Sequence, residues 1–96
     1  MNENKFQRYV IDRVRQIFIG CVVMKNDANY IQGIPDLTVL TDKGWFCLET
    51  KKSKDSDLRP NQWHYLNLLD DLSFARVVYP ENVEEVLREL QRTFAT

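Results

Sequence analysis

The sequence predicts an α/β or α+β domain in which a central mixed sheet of about four strands is flanked by helices. Three segments carry apolar residues every three or four positions, which is the spacing of an amphipathic helix. Four short apolar segments bounded by turn-forming residues lie between them and are typical of strands. The chain has 96 residues, about the size of one core, so we expect residues 1–96 to form a single domain with the order α, β, β, β, α, β, α.

The first elements are a helix and two strands. A helical apolar stripe covers about residues 2–19, and the short apolar segment 21–25 is predicted to be a strand. A polar, Asn-rich loop follows over residues 26–33. Because Pro35 pushes the residue before it into an extended conformation, the second strand is expected to run from Asp36 to Leu40.

A hairpin is predicted next. Asp42-Lys43-Gly44 is a tight-turn signal, so residues 45–51 are expected to return as a strand antiparallel to the second one. Both faces of residues 45–48 are apolar, which predicts a central strand covered on two sides. Helices must supply that cover.

The hairpin register decides which polar side chains meet. A two-residue turn at positions 42 and 43 places Asp36 directly opposite Glu49, with Cβ atoms about 5 Å apart on one face. A bulge at Gly44 would instead shift the register by one residue and leave the two as near neighbours. Side chains alternate along a strand, so Lys51 shares the face of Glu49 while the Thr50 side chain points to the other.

The C-terminal part is predicted to contain two helices and one strand. After a polar loop over residues 52–57, Pro60 suits the first position of a helix. Residues 74–79 form the fourth strand, and Asn82 with Glu85 is expected to form an N-cap pair that opens the last helix. The apolar stripe predicted for the first of these helices, and expected to pack in the core, is Trp63, Leu66 and Leu69 with Tyr65, Leu68 and Leu72.

Composition and charge limit the classes of function. The net charge of −1 argues against a protein that coats nucleic acid by bulk attraction, although residues 1–30 and 51–59 hold more basic than acidic groups and are where a polyanion would bind. Apolar runs are far shorter than the roughly 20 residues that cross a bilayer, and no secretory signal is visible. We therefore expect a cytoplasmic protein with no membrane partner, in which Cys21 and Cys47 are reduced core residues.

The charged end of the hairpin is the strongest candidate site. Asp36, Glu49 and Lys51 would share one face, where uncompensated buried charge is costly unless it is paired or binds something. Carboxylate oxygens are the ligands that Mg²⁺ prefers, and the Thr50 carbonyl could add another oxygen. The alternative is a solvated strand end with Asp36 as a turn residue. A glycosidase carboxylate pair is a weaker reading, because it leaves Lys51 unexplained.

These residues resemble a nuclease signature. Pro35-Asp36, twelve intervening residues and then Glu49-Thr50-Lys51 look like the P-D...(D/E)-x-K motif of a large nuclease superfamily with a restriction-endonuclease-like core. Together with Gly33 before the motif and Gln62-x-x-Tyr65 after it, the pattern resembles the VRR-NUC family, the virus-type replication and repair nuclease domain. The resemblance covers the chain from about residue 3 to residue 90.

The resemblance implies a role for each matching residue. Asp36, Glu49, the Thr50 carbonyl and Glu3 would hold a Mg²⁺ or Mn²⁺ ion. Lys51 would orient or activate the attacking water and stabilise charge on the scissile phosphate. The remaining assignments are Gln62 and Tyr65 along the cleft wall, supporting the site or touching DNA.

DNA contacts are expected from the loop that follows the site. Its basic residues are the strongest candidates for phosphate contacts, although a charge-rich loop is often only solvated and this one lacks a glycine common in the family. The contacts assigned to this loop and its end are Lys52, Lys54 and Arg59.

The prediction from sequence is thus a metal-dependent deoxyribonuclease, structure-specific and serving replication, recombination or repair for a phage or mobile element. A homodimer is expected, because one small site reaches two strands only with a second copy. One alternative is a catalytically silent DNA-binding or assembly module with the same fold. The other is an unrelated α/β interaction domain.

Overall fold

The computed structural model describes residues 1–95, which form three helices and four strands in the predicted order. The predicted fold class is confirmed: the strands make one four-stranded mixed sheet with helices on both faces. In the described part of the chain no helix is long and apolar enough to cross a membrane. The elements are α1 (Glu3–Ile17), β1 (Val22–Lys25), β2 (Leu37–Thr41), β3 (Gly44–Thr50), α2 (Pro60–Leu72), β4 (Ala75–Val78) and α3 (Val83–Phe94).

The strands lie in the order β1-β2-β3-β4. The first three strands are antiparallel neighbours, whereas β4 lies parallel to β3, and α2 is the crossover between them. Strand β3 is therefore central, and every residue from Phe46 to Thr50 is buried. The prediction that helices cover this strand on two sides is confirmed.

The hairpin has the register of a two-residue turn. Thr41 pairs with Gly44 and Leu37 with Leu48, so the turn consists of Asp42 and Lys43 and the ladder runs without a bulge. This arrangement places the residue before Leu37 across from the one after Leu48, and it settles the alternative left open by the sequence. The carboxylates of the two strand ends meet as a result.

One strand boundary differs from the prediction for a reason that concerns the site. Strand β2 begins at Leu37 rather than at Asp36. The Asp36 N–H donates to a side-chain oxygen of Glu49 at 3.2 Å instead of to a carbonyl of the sheet, while its carbonyl accepts from the Asn26 N–H at 2.8 Å. The backbone at Asp36 is thus committed to the site rather than to the β2–β3 ladder.

The core has two layers. Helices α1 and α3 cover one face of the sheet, and α2 covers the other at β3 and β4. Phe46 lies at the centre of the larger layer, with the Phe18 and Phe94 rings 5.5 Å and 5.3 Å from its own. On the other face the smaller layer consists of Cys47, Leu66 and Ala75. Both cysteines are free thiols, as predicted, but only Cys47 is a buried core residue, whereas Cys21 is partly buried at the edge of the larger layer.

The predicted core stripe of α2 is wrong in part. Only Leu66 is buried, whereas Trp63 is 52% exposed and Leu72 is 66% exposed. The apolar residues of this helix spread over a wide arc, and α2 meets only β3 and β4 along a narrow strip. Gln62 precedes the buried Leu66 by one helical turn. The two side chains therefore share a helix face, and Gln62 points at the sheet.

The predicted N-cap pair of the last helix is right in its position and wrong in its hydrogen bonding. Asn82 is the residue that precedes α3, but its side chain makes no capping hydrogen bond to the helix. Its Oδ1 accepts from the Tyr79 N–H at 2.9 Å and its Nδ2 donates to the Val77 carbonyl at 3.1 Å. The side chain therefore closes the turn after β4, an alternative that Asn offers the backbone wherever a turn precedes a helix.

Candidate active site

The candidate site lies where the open end of the β2–β3 hairpin meets the first turn of α2. Asp36 immediately precedes β2, and Glu49 and Thr50 are the last two residues of β3. Lys51 continues the parallel ladder, since its N–H donates to the Val78 carbonyl at 2.8 Å. Gln62 is the third residue of α2. Sequence-distant elements thus bring five of the predicted residues together.

The two carboxylates are held side by side by the backbone. Glu49 Oε1 accepts the Asp36 N–H at 3.2 Å, and Asp36 Oδ2 accepts the Thr50 N–H at 2.9 Å. Thr50 Oγ1 also donates to Asp36 Oδ2, at 2.7 Å. Each carboxylate is therefore oriented by a backbone N–H of the segment that carries the other.

Gln62 and Lys51 converge on the outer oxygen of Glu49. Gln62 Nε2 donates to Glu49 Oε2 at 3.2 Å, and Lys51 Nζ lies 3.6 Å from the same oxygen. The other end of the Gln62 amide is occupied, because Oε1 accepts the Arg59 N–H at 2.8 Å and so fixes which atom faces the carboxylate. Gln62 is thus a positioning residue for Glu49.

Gln7 joins the site from the opposite face of the sheet, and the sequence analysis missed it. Its Nε2 donates to Thr50 Oγ1 at 3.1 Å, so a chain of hydrogen bonds leads from Gln7 through Thr50 to Asp36. Asn26, also missed, holds the approach to Asp36 by donating to the Pro35 carbonyl at 2.9 Å. The only signal for either residue was a polar side chain beside a buried element.

Burial and repulsion change the acidity of Glu49. Its residue is 3% exposed, and burial together with the negative charge of Asp36 raises its pKa to about 7. The ammonium of Lys51 and the Asp36 N–H act in the opposite direction but do not cancel the rise. The metal-free site therefore holds two carboxylates that resist being ionised together.

Raising the pH from about 5 to about 8 should lower the unfolding free energy of the metal-free protein by up to about 3 kcal/mol. The Glu49 pKa is about 7 in the folded protein and 4.5 ordinarily, so between these values the folded protein keeps a proton that the unfolded chain has released. This contribution is complete below the ordinary pKa and is lost as the pH rises through the folded one. Urea unfolding with EDTA at several pH values measures it. Glu49→Gln should flatten the profile, and an unchanged slope in that variant would contradict the assignment.

The donor set fits a hard divalent cation. Asp36 and Glu49 offer adjacent carboxylate oxygens, and in residues 1–95 no protein group donates a hydrogen bond to Asp36 Oδ1. The Thr50 carbonyl is the third expected oxygen. Mg²⁺ is usually held by one or two carboxylates and keeps several waters, so this small oxygen set suits it.

Glu3 does not complete the set in this structure. It lies exposed in the first turn of α1, one turn before Gln7 on the same helix face. Among the described residues, no group of three or more His, Cys, Asp and Glu side chains is arranged to hold a metal ion. The assignment of Glu3 as a ligand stays a prediction.

In the described part of the chain, the other predicted residues make no side-chain hydrogen bond to the carboxylates. Tyr65 is half-buried on α2 and packs edge-on against the His64 ring, with the ring centroids 5.0 Å apart. In residues 1–95 its hydroxyl makes no side-chain hydrogen bond to Asp36 or Glu49. The basic residues assigned to DNA contact are all exposed along the loop and at the start of α2: Lys52, Lys54 and Arg59.

Gly33 explains how the loop before Asp36 reaches α2. Its φ is +92°, and a Cβ at this position would lie 2.7 Å from the backbone carbonyl atoms of Asn61. Only glycine combines a positive φ with so close an approach to a neighbouring backbone. The loop therefore rests on the turn of α2 that carries Gln62, and Gly33 links the positions of the two strands and the helix.

Gly33→Ala should destabilise the fold more than Gly20→Ala. Gly20 also has a positive φ, of +84°, but a Cβ there meets nothing within 4 Å, so it reports the backbone cost alone. We expect about 1 kcal/mol for Gly20→Ala and about 2 kcal/mol or more for Gly33→Ala. Urea unfolding of both variants gives the comparison, and equal losses would show that the approach to Asn61 is unimportant.

Comparisons with known proteins agree with this architecture. No protein-family model matches the sequence, and no curated protein matches it. A solved structure described as "VRR_NUC domain" has a TM-score of 0.74 at 22% identity, with 90% of this chain and 94% of that chain covered. Another, described as "VRR_NUC domain protein", has a TM-score of 0.76 at 21% identity, with 98% of this chain and 91% of that chain covered.

The likeness spans nearly the whole chain, so the class of protein is a small α+β domain with a central mixed sheet and a carboxylate pair at the end of its central strand. Within that class, the particular fold is that of VRR_NUC domains. The family resemblance predicted from the sequence is therefore confirmed at the level of the fold.

Proposed function

We propose that the protein is a metal-dependent deoxyribonuclease that hydrolyses phosphodiester bonds. The observation that carries the proposal is the arrangement of Asp36 and Glu49, whose carboxylates are fixed side by side with the Lys51 ammonium 3.6 Å from Glu49. Two carboxylates held side by side have no use in pure DNA binding. They suit a cation that in turn faces a phosphate.

Asp36, Glu49 and the Thr50 carbonyl would hold Mg²⁺ or Mn²⁺. The ion, when bound, supplies a Lewis acid for the phosphate and lowers the pKa of a water molecule. Lys51 places a compact positive charge beside the carboxylates, where it can orient the attacking water and stabilise the charge that develops on the phosphate oxygens. Gln62 keeps the Glu49 carboxylate aligned for the cation and for Lys51.

The surroundings of the site supply the DNA contacts in this proposal. The exposed cations Lys52, Lys54 and Arg59 would meet phosphates next to the scissile one. Tyr65 would line the same cleft on α2. A homodimer would allow two strands of a junction or branched DNA to be cut, and a role in replication, recombination or repair of a phage or mobile element follows from the same resemblance.

The alternative function is a catalytically silent DNA-binding or assembly module with the same fold. The proximity of Asp36, Glu49 and Lys51 speaks against this alternative, since pure binding does not require two adjacent carboxylates beside a phosphate. A silent module would bind DNA without consuming it, whether or not a cation is present. The two functions therefore differ in one measurable outcome.

The test is cleavage of a panel of labelled DNA structures with Mg²⁺, Mn²⁺ or EDTA. The panel consists of a four-way junction, a flap, a nicked duplex and a single strand. We expect cleavage with either cation, none with EDTA, and a preference for a branched structure. Binding without cleavage would establish the silent module instead, and absence of both would leave an interaction domain unrelated to DNA.

A further inference from the structure

A basic groove lies outside the residues assigned above. It runs between the outer face of α1 and the edge strand β1, has a volume of about 480 Å³, and is called here the α1–β1 groove. Arg8, Asp12 and Arg15 follow each other at four and three residues and so share one face of α1, while Lys25 lies opposite at the end of β1. Three cations thus face one carboxylate.

The cations of the groove are free to meet an anion. Within residues 1–95, no ion pair with a carboxylate forms at Arg8, Arg15 or Lys25, and all three are exposed. Two other arginines are paired, since Arg13 contacts Glu84 on α3 and Arg76 contacts two carboxylates. The excess of positive charge is local, because the whole chain carries a net charge of −1.

The groove begins at the candidate active site. Gln7 lines it and donates to Thr50 Oγ1, which donates in turn to Asp36 Oδ2, so two hydrogen bonds separate the groove from a carboxylate of the site. At the other wall, Lys25 pairs with Leu37 in the sheet, and Leu37 directly follows Asp36. A polyanion bound at the carboxylates could therefore continue into the groove.

The lining indicates which form of DNA the groove would take. Proteins that hold single strands usually stack the bases on aromatic side chains, and no aromatic residue of the described chain lines this groove. What it offers is positive charge for backbone phosphates, a contact that leaves the bases facing away and paired. Arg8 and Arg15 are two helical turns apart, about 10.5 Å along the axis, or roughly three steps of a B-form strand.

We propose that the α1–β1 groove binds the backbone of a double-stranded arm of the DNA substrate. The proposal rests on the nuclease function proposed above and adds a substrate class to it. Arg8, Arg15 and Lys25 contact phosphates of one strand, with those at Arg8 and Arg15 roughly three steps apart. Asp12, lying between the two arginines, limits the affinity of this contact by repulsion.

The test is equilibrium binding in Ca²⁺, with a series of salt concentrations, of a duplex and of one of its single strands. The variant Arg8→Gln/Arg15→Gln/Lys25→Gln should bind the duplex about tenfold or more weakly at low salt. The slope of log affinity against log salt should become less steep by about 0.9 for each lost phosphate contact. Binding of the single strand should change much less. Asp12→Asn should change duplex affinity in the opposite direction.

The matched control removes three exposed cations that do not line the groove. Lys43→Gln/Arg88→Gln/Arg92→Gln changes the net charge by the same amount, at the hairpin turn and on α3. If the groove variant behaves like this control while the wild-type protein binds and cuts DNA, the groove proposal is wrong and the nuclease stands. Equal losses on duplex and single strand would overturn the assignment to a double-stranded arm. A wild-type protein that neither binds nor cuts DNA would remove the proposed function itself.

Discussion

Asp36→Asn and Glu49→Gln should each reduce metal-dependent cleavage by at least about 10³-fold while leaving the fold intact. Each change removes one of two carboxylates that would hold the cation, and cation catalysis contributes several kcal/mol to phosphodiester hydrolysis. The shapes of the side chains are kept, so Asp36→Asn can still accept the hydrogen bonds that Thr50 donates to Asp36 at 2.9 Å and 2.7 Å. Single-turnover cleavage measures the loss.

Metal affinity and thermal stability distinguish loss of the cation site from loss of the fold. Titration with Mg²⁺ or Mn²⁺ should show weakened binding in both variants. In EDTA, thermal unfolding should occur no earlier than in the wild-type protein, because removing one of two neighbouring negative charges relieves the repulsion that raises the Glu49 pKa. The control is Asp42→Asn with Glu85→Gln, which removes two exposed carboxylates elsewhere. A folded Asp36→Asn variant that cuts DNA at the wild-type rate would overturn the metal-site assignment.

Lys51→Ala should separate turnover from binding. Lysine is not a metal ligand, so metal affinity should be largely retained, whereas cleavage should fall by about 10² or more, as is usual when a charge that stabilises a transition state is removed. DNA affinity in Ca²⁺, which should occupy the carboxylates without supporting turnover, should change much less. The pKa of Glu49 should rise further, because Lys51 now lowers it. The pH dependence of metal-free stability reports that rise and would not respond to a merely structural defect.

The neighbouring lysine is the natural comparison. Lys52 carries the same charge one residue later, but it is exposed, whereas the Lys51 side chain is largely buried beside Glu49. Lys52→Ala should lower DNA affinity and cleavage in proportion. Lys51→Arg should restore charge but not full activity, since a planar guanidinium differs in shape from a compact ammonium. If Lys51→Ala loses affinity and cleavage in equal proportion, Lys51 only holds DNA.

The hairpin shows why so much of the site could be predicted from the sequence. Strand side chains alternate with a period of two, so a two-residue turn at Asp42 and Lys43 is enough to bring Asp36 against Glu49 and to put Lys51 on the same face. The helix with Gln62 follows within a few residues of that strand. Strand alternation and turn length act over these short sequence distances, so they predict which side chains meet. The chemical roles of those side chains came from the family resemblance.

The predictions that failed concern the exposure of side chains and the hydrogen bonds between residues that are distant in the sequence. Periodicity in α2 showed which residues are apolar but not how narrow a strip of sheet the helix would meet, so Trp63 was placed in the core and is exposed. Gln7 bonds to Thr50 across 43 positions of sequence, and no pattern near either residue announces the pairing. The Asn82 side chain could cap the helix after it or close the turn before it, and in the structure it closes the turn.

The central position of β3 has a consequence for how the protein matures. During synthesis the hairpin with Asp36 and Glu49 leaves the ribosome before α2 and β4, and until β4 pairs with it β3 is an edge strand whose last carboxylate is open to water. Gln62 then has no fixed place, and the burial that raises the Glu49 pKa is missing. The nascent chain thus carries its carboxylates early but acquires their geometry only when the parallel crossover closes, which couples assembly of the candidate site to completion of the fold.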